Sequence, residues 1–184
     1  VGVREQLVTA GVDLLERDGL AQLTQRRIAT MAGVSHGAPR HYFPTYASLL
    51  AAIAREGIND MDRIIRDSLS EPDARTALTN TCRNVLTFAT NRPAMFELIS
   101  RHDLLEGTGE NLRATTGPWV NALTERIRDV RQDAQQRHTL ALWAGVQGLG
   151  VMLGRRGVEA ITDQQVAADP ILAVLVDGIL RASD

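Results

Sequence analysis

The sequence predicts an all-α protein of about nine helices, and three observations predict it. Apolar residues recur at helical spacing along nearly the whole chain. The composition is 44% hydrophobic but only 4% aromatic, with Leu, Ala and Ile setting the pattern. The pattern breaks where helices start or stop, at Gly19, Pro44, Pro72, Pro93 and Gly117-Pro118. At 184 residues the chain has length for one sizeable core, or for a small domain fused to a larger one.

Leu7, Gly11, Leu14 and Leu15 give a first helix over about 3–17, stopped by Gly19. Thr24 caps a short second helix ending near Ala32. Gly33 forms a tight turn, and Ser35 is the N-cap candidate of a third helix over about 36–42. Pro44 disfavours helix at Phe43 and closes it. Leu50, Ile53, Met61, Ile64 and Ile65 carry a long fourth helix from Thr45 or Tyr46 to about Leu69. Leu78, Thr81, Cys82, Val85, Leu86 and Ala89 mark the fifth, and Pro93 opens a short sixth. Glu106 to Gly109 reads as a loop. Trp119, Leu123, Ile127 and Val130 mark the seventh, which Gly117-Pro118 must start or kink. The eighth covers about 133–155 and the ninth about 170–182.

Helix, tight turn, short helix is the arrangement that lays its second helix in the DNA major groove. The charge agrees. From Gly19 to Arg55 there is no Asp or Glu, while Arg26, Arg27, Arg40 and Arg55 give +4. The chain totals −2, which leaves −6 for the remainder. Phosphate contact needs a local positive face of this kind. Arg26 and Arg27 fall in the first turn of the second helix, where free N–H groups also favour a phosphate oxygen. On the third helix the candidates are His36, Gly37, Ala38, Arg40, His41 and Tyr42. Arginine can pair bidentately with guanine O6 and N7, and alanine can touch a thymine methyl. Tyr42 offers a phosphate its hydroxyl, while Phe43 is expected in the core.

Residues 24–50 resemble the TetR family of one-component bacterial repressors. The matching residues are Ile28-Ala29, Ala32-Gly33-Val34-Ser35, Gly37, His41-Tyr42-Phe43-Pro44 and Leu49-Leu50. The resemblance implies a helix-turn-helix DNA-binding domain over 1–46 and an effector-binding and dimerisation domain over 47–184. It implies a homodimeric repressor on double-stranded, palindromic operator DNA, released by a small, mainly apolar ligand, with no cofactor, metal or catalytic residue. The DNA-binding set is then Thr24, Arg26, Arg27, Ser35, His36, Gly37, Ala38, Arg40, His41, Tyr42 and Tyr46. Where the family commonly has Leu-Tyr this chain has Pro39-Arg40, so Arg40 replaces the usual tyrosine contact. Where it has a lysine opening the fourth helix, Tyr46 stands, a neutral contact.

For the effector the candidates are Leu86, Phe88, Met95, Phe96, Trp119, Leu123, Trp143 and Gln147. Trp143, Gln147 and Gly148 resemble a Trp–His–Gly signature of one subgroup, with Gln147 in the histidine's place. The eighth helix is rich in small residues, and interior glycines each cost up to ~1 kcal/mol, which points to close helix packing. Dimerisation is assigned to Ala144, Gly148, Ile171, Leu172, Leu175, Gly178 and Ile179.

Other classes have less behind them. All 20 basic residues are Arg, so Schiff-base and phosphate-loop lysines are excluded. The single Cys82 excludes an internal disulfide and fits a cytoplasmic protein. The longest uncharged run, Thr139 to Gly154, is shorter than the ~20 residues a membrane span needs, and no signal peptide is visible. His102-Asp103 resembles the dipeptide of helical metal-dependent phosphohydrolases, which makes a hydrolase one alternative. A helical interaction module that has lost DNA binding is the other.

Overall fold

The computed structural model describes residues 2–105, 108, 111–154, 157 and 167–181. The expected loop at Glu106 to Gly109 lies largely outside them, as do the expected ends at Arg155 and Ala182. Among the described residues the chain is all-helical, without a strand. The helices are α1 (Val3–Asp18), α2 (Gln25–Met31), α3 (Ala38–Tyr42), α4 (Tyr46–Leu69), α5 (Ala74–Asn91), α6 (Pro93–Ser100), α7 (His102–Leu105), α8 (Arg113–Val130), α9 (Gln136–Gly154) and α10 (Ala168–Leu180). A 3-10 turn, Leu20–Gln22, follows α1. The helix missed in the sequence is α7, too short to show a period. α8 starts at Arg113, so Pro118 lies inside it and does not open it.

By its packing the chain divides into two compact units, Val1–Asn59 with Arg92–Leu112, and Asp60–Asn91 with Arg113–Asp184. In the first, Leu7, Leu14 and Leu15 of α1 are buried with Ile28, Phe43, Leu49, Ile53, Met95 and Leu98. Arg92 at the head of α6 pairs with Glu16 of α1 at 2.7 Å. Gly57 of α4 permits close contact with α6. A Cβ there would stand 2.5 Å from Met95 Cγ and 2.9 Å from Ile99 Cδ1. Gly57→Ala is therefore expected to destabilise the fold by about 1–3 kcal/mol through overpacking. That exceeds the helix-propensity gain of up to ~1 kcal/mol. Urea denaturation reads the sign, and a stabilised variant would contradict the packing argument.

In the second unit, Met61 and Ile65 of α4 are buried with Leu78, Val85, Ile127, Leu142, Val146, Leu172 and Val176. Asp73 caps α5: its Oδ1 accepts the Thr76 N–H at 2.8 Å. The Thr76 bonds hold its carboxyl below the usual aspartate range. A depressed carboxylate contributes stability above its unfolded pKa, and loses it as pH falls through the folded pKa. The Thr76 amide resonance should therefore move with the Asp73 titration, at a pH below the ordinary aspartate range. A Thr76 shift unchanged through that titration would rule the cap out.

Candidate functional site

The reader is built by turn chemistry. Thr24 sits at the α2 N-cap, and its hydroxyl accepts the Arg27 N–H at 3.3 Å. At the other end Gly33 takes φ +69°, a left-handed conformation that costs glycine nothing. Gly33 N–H donates to Thr30 O at 3.1 Å and Val34 N–H to Ala29 O at 3.0 Å. These paired bonds end α2 in a Schellman motif and set the exit direction toward α3. At the start of α4, Thr45 Oγ1 accepts the Ser48 N–H at 3.0 Å while Ser48 Oγ accepts the Thr45 N–H at 3.1 Å. That reciprocal cap fixes where Tyr46 stands.

Two sequence expectations are corrected here. Ser35 does not cap α3: Gly37 holds that position, and Ser35 contributes its carbonyl to the Ala38 N–H at 3.0 Å. The cause is Pro39, which stands in the first turn, buried. α3 accordingly begins at Ala38, and His36 lies in the turn before it. Tyr46 is exposed at its edge, but its hydroxyl donates to Leu23 O, so its proton is committed inward and not toward a phosphate. Burial also raises its pKa.

Thr24, Arg26, Ser35, His36, Gly37, Arg40, His41 and Tyr42 are all exposed, with Arg27 and Ala38 half-buried. Phe43 is in the core. The two reader arginines of α2 differ. Arg27 pairs with Asp18 and donates to Gln22 O at 3.1 Å, tying α2 to the end of α1. Arg17, with Arg27 adding to it, holds the Asp18 carboxyl below its usual range. The acid-free stretch begins one residue after Asp18, so the positive face is smaller than the charge of that stretch alone. Arg26 and Arg40 remain, exposed and without an ionic partner among the described residues. One cation was missed: Arg4 of α1 lies 5.1 Å from the centroid of the Phe43 ring, at the end of α3. Its place in α1 carries no motif that marks it.

The effector candidates fall in both units. Met95 and Phe96 belong to the first unit, the other six to the second. Within the second, α5, α8 and α9 enclose a cavity of about 10 Å³. Leu123 and Trp143 line it, together with Cys82, Val85, Leu142 and Val146. Leu86, Phe88, Trp119 and Gln147 are not part of this lining. Two threonines also reach it, but their hydroxyls are spent: Thr81 donates to Ala77 O at 2.8 Å, and Thr139 meets Thr124 at 2.6 Å. The surface offered is therefore apolar. Burial pushes the Cys82 thiol up to about 12, which keeps it a packing group and not a nucleophile.

Of the dimer candidates, Ala144, Gly148 and Gly178 are exposed, and Ile171, Leu175 and Ile179 are half-buried. Leu172 is corrected: at 1% exposure it belongs to the core of its own chain. Leu175 packs closely on Gly145. Three exposed apolar residues were missed: Leu140 and Met152, in line with Ala144 and Gly148 on α9, and Val174 on α10. At His102-Asp103 both carboxylate oxygens accept from Arg101 at 2.8 Å. Among the described residues no three His, Cys, Asp or Glu side chains cluster as metal ligands. Nor is any described helix long and apolar enough to cross a membrane.

No family model matches the chain. The nucleoid occlusion factor SlmA of Vibrio cholerae serotype O1 is 30% identical over 138 residues, 73% of this chain and 67% of that protein. The fold is similar to that of a TetR-like transcriptional regulator from Rhodococcus sp. RHA1, with TM-score 0.71 and 15% identity over 95% and 93% of the two chains. It is also similar to that of BioQ with its double-stranded DNA operator, with TM-score 0.68 and 22% identity over 96% and 97%. SlmA is itself a TetR-family protein, and its likeness to this chain extends well beyond the reader. The chain belongs to the TetR family of helix-turn-helix DNA-binding regulators.

Proposed function

We propose that the protein is a cytoplasmic, homodimeric repressor, not an enzyme, that leaves a palindromic operator when a small, mainly apolar ligand binds it. Residues 1–46 read DNA, and residues 47–184 hold the ligand and the dimer contact. The observation that carries this reading is the exposed set around α3, where Arg40 and Tyr42 present donors on a helix held by the buried Pro39 and by Phe43 just past its end, with Arg26 exposed on α2. Selection from random duplexes with the purified protein tests it. An enriched inverted repeat supports the reading and names the operator; a pool without enrichment, at low salt, overturns it.

The apolar character of the ligand rests on the cavity lining. A space of about 10 Å³ admits about one water, far below the ~300 Å³ at which drug-sized pockets begin. Ligand entry therefore has to move part of the wall.

A second reading comes from the name carried by the Vibrio relative, nucleoid occlusion factor, because 138 matched residues reach far past the reader. On that reading the DNA-bound protein acts at many chromosomal sites and not at a few promoters. A genome-wide occupancy map separates the two: sites confined to promoters favour the repressor.

A further inference from the structure

Where the 3-10 turn passes into α2, successive backbone carbonyls are each taken by a different group. Gln22 O accepts from Arg27 Nη1 at 3.1 Å. Leu23 O accepts from the Tyr46 hydroxyl. Thr24 O accepts the Ile28 N–H at 3.0 Å, which is the first bond of α2. The groups on either side belong to α2 itself and move with it. Tyr46 alone comes from another helix, at the head of α4. It is a firm anchor. The reciprocal bonds between Thr45 and the buried Ser48 hold the first turn of α4. Burial raises the phenol above its ordinary range, so the hydroxyl keeps its proton and stays a donor. Leu23 is itself in the core, so the bond fixes a point of the backbone and not a surface side chain. Beyond that point the chain enters the turn of α2 that carries Arg26, exposed and without an ionic partner among the described residues.

We infer that Tyr46 is a positioning residue for DNA binding: its bond to Leu23 O sets the start of α2 and so presents Arg26 to a phosphate, while Tyr46 itself touches no DNA. The inference rests on the reading of residues 1–46 as the DNA reader, and all of its residues lie in the first unit. A held backbone lowers the ordering cost that Arg26 would otherwise meet on binding, so the bond acts by preorganisation. A lysine opening α4 would work differently, by bringing its own charge to the phosphate. In this chain the charge comes from α2, and α4 supplies the alignment.

The test is a double-mutant cycle between Tyr46 and Arg26, on a short random-sequence duplex at low salt. That probe suits the question because phosphate contacts do not depend on sequence. Tyr46→Phe keeps the ring and removes the donor. Affinity, read by fluorescence anisotropy, is expected to fall roughly three- to tenfold, the scale of one hydrogen bond. The slope of log affinity against log salt should stay the same, because no cation is lost. In an Arg26→Ala background the same change should cost less than about twofold, since the group it positions is gone. Equal losses in both backgrounds would overturn the proposal, because the hydroxyl would then act on DNA without Arg26. Unchanged affinity with a lower melting temperature would also overturn it, leaving a bond that serves the fold alone. Tyr46→Leu repeats the cycle if Tyr46→Phe does not fold. A parent protein that binds no duplex would strike the DNA reader and the positioning role together. Amide exchange over 24–28, faster in Tyr46→Phe, would then show the bond present with nothing to position.

Discussion

Gly148→Arg is expected to give a protein that sediments as a monomer at micromolar concentration and binds its operator at least roughly 100-fold more weakly, the scale of lost bivalency. Gly148 is exposed, and a Cβ built there meets nothing among the described residues, which leaves room for a side chain. Around it α9 leaves Leu140, Ala144 and Met152 exposed, and α10 leaves Val174, 72% exposed, and Gly178. Apolar side chains at helical spacing with no cover among the described residues call for a partner. A two-fold dimer places each such residue against the partner's copy of the same face. An arginine at the centre would bring two unpaired cations into that contact, and burying a charge without a counterion costs several kcal/mol. Reading two half-sites at once needs both chains, so operator affinity should fall with the dimer. The melting temperature of the isolated chain checks the fold, since replacing a helical glycine gains up to ~1 kcal/mol. A variant that remains dimeric with unchanged operator affinity would place the interface elsewhere.

The parts of this molecule that the sequence made legible are those fixed by local chemistry. Thr24 and Gly33 could be read because a cap and a left-handed turn depend on a residue's own side chain and backbone. The long helices could be read because burial repeats along them. Ser35 suits a cap by its own side chain, but Gly37 holds the N-cap and Pro39 is buried in the first turn of α3, and neither burial nor packing is visible in a residue's own cap preference. Arg27 is a related case: its partner Asp18 stands on another helix, one residue before the acid-free stretch.

The second unit was less legible because an apolar stripe does not say what covers it. Leu172 and Val174 are near neighbours in one helix with the same kind of side chain, yet one is core and the other is 72% exposed. Leu86 and Phe88 are buried without lining the cavity, while Cys82 and Val146 line it. Trp119 turns its indole N–H to Asp62 of α4. Only the packing of α5, α8 and α9 decides among these, and no spacing within one helix encodes it.

That contrast between local and long-range information makes the reader arginines the sharpest test of the site. Arg40→Ala is expected to cost about 1–3 kcal/mol of operator affinity and to relax preference at one position in each half-site, because a guanidinium pairs with guanine O6 and N7 through two hydrogen bonds. Arg40 is exposed on α3, beside His41 and Tyr42, with no carboxylate partner among the described residues to hold it back. Arg26→Ala should behave differently. Arg26 stands in the first turn of α2, off the recognition helix, where a phosphate contact weakens every sequence alike. Losing one such contact should reduce the slope of log affinity against log salt by about 1. Arg27→Ala is the internal control: its guanidinium is engaged by Asp18 and Gln22, so its loss should lower the stability of the first unit more than it changes sequence preference. The measurement is a binding titration of each variant against the operator and its single-base substitutions at two salt concentrations. Equal losses on all sequences for Arg40→Ala would reduce Arg40 to a phosphate contact and move base reading to His36, His41 or Tyr42.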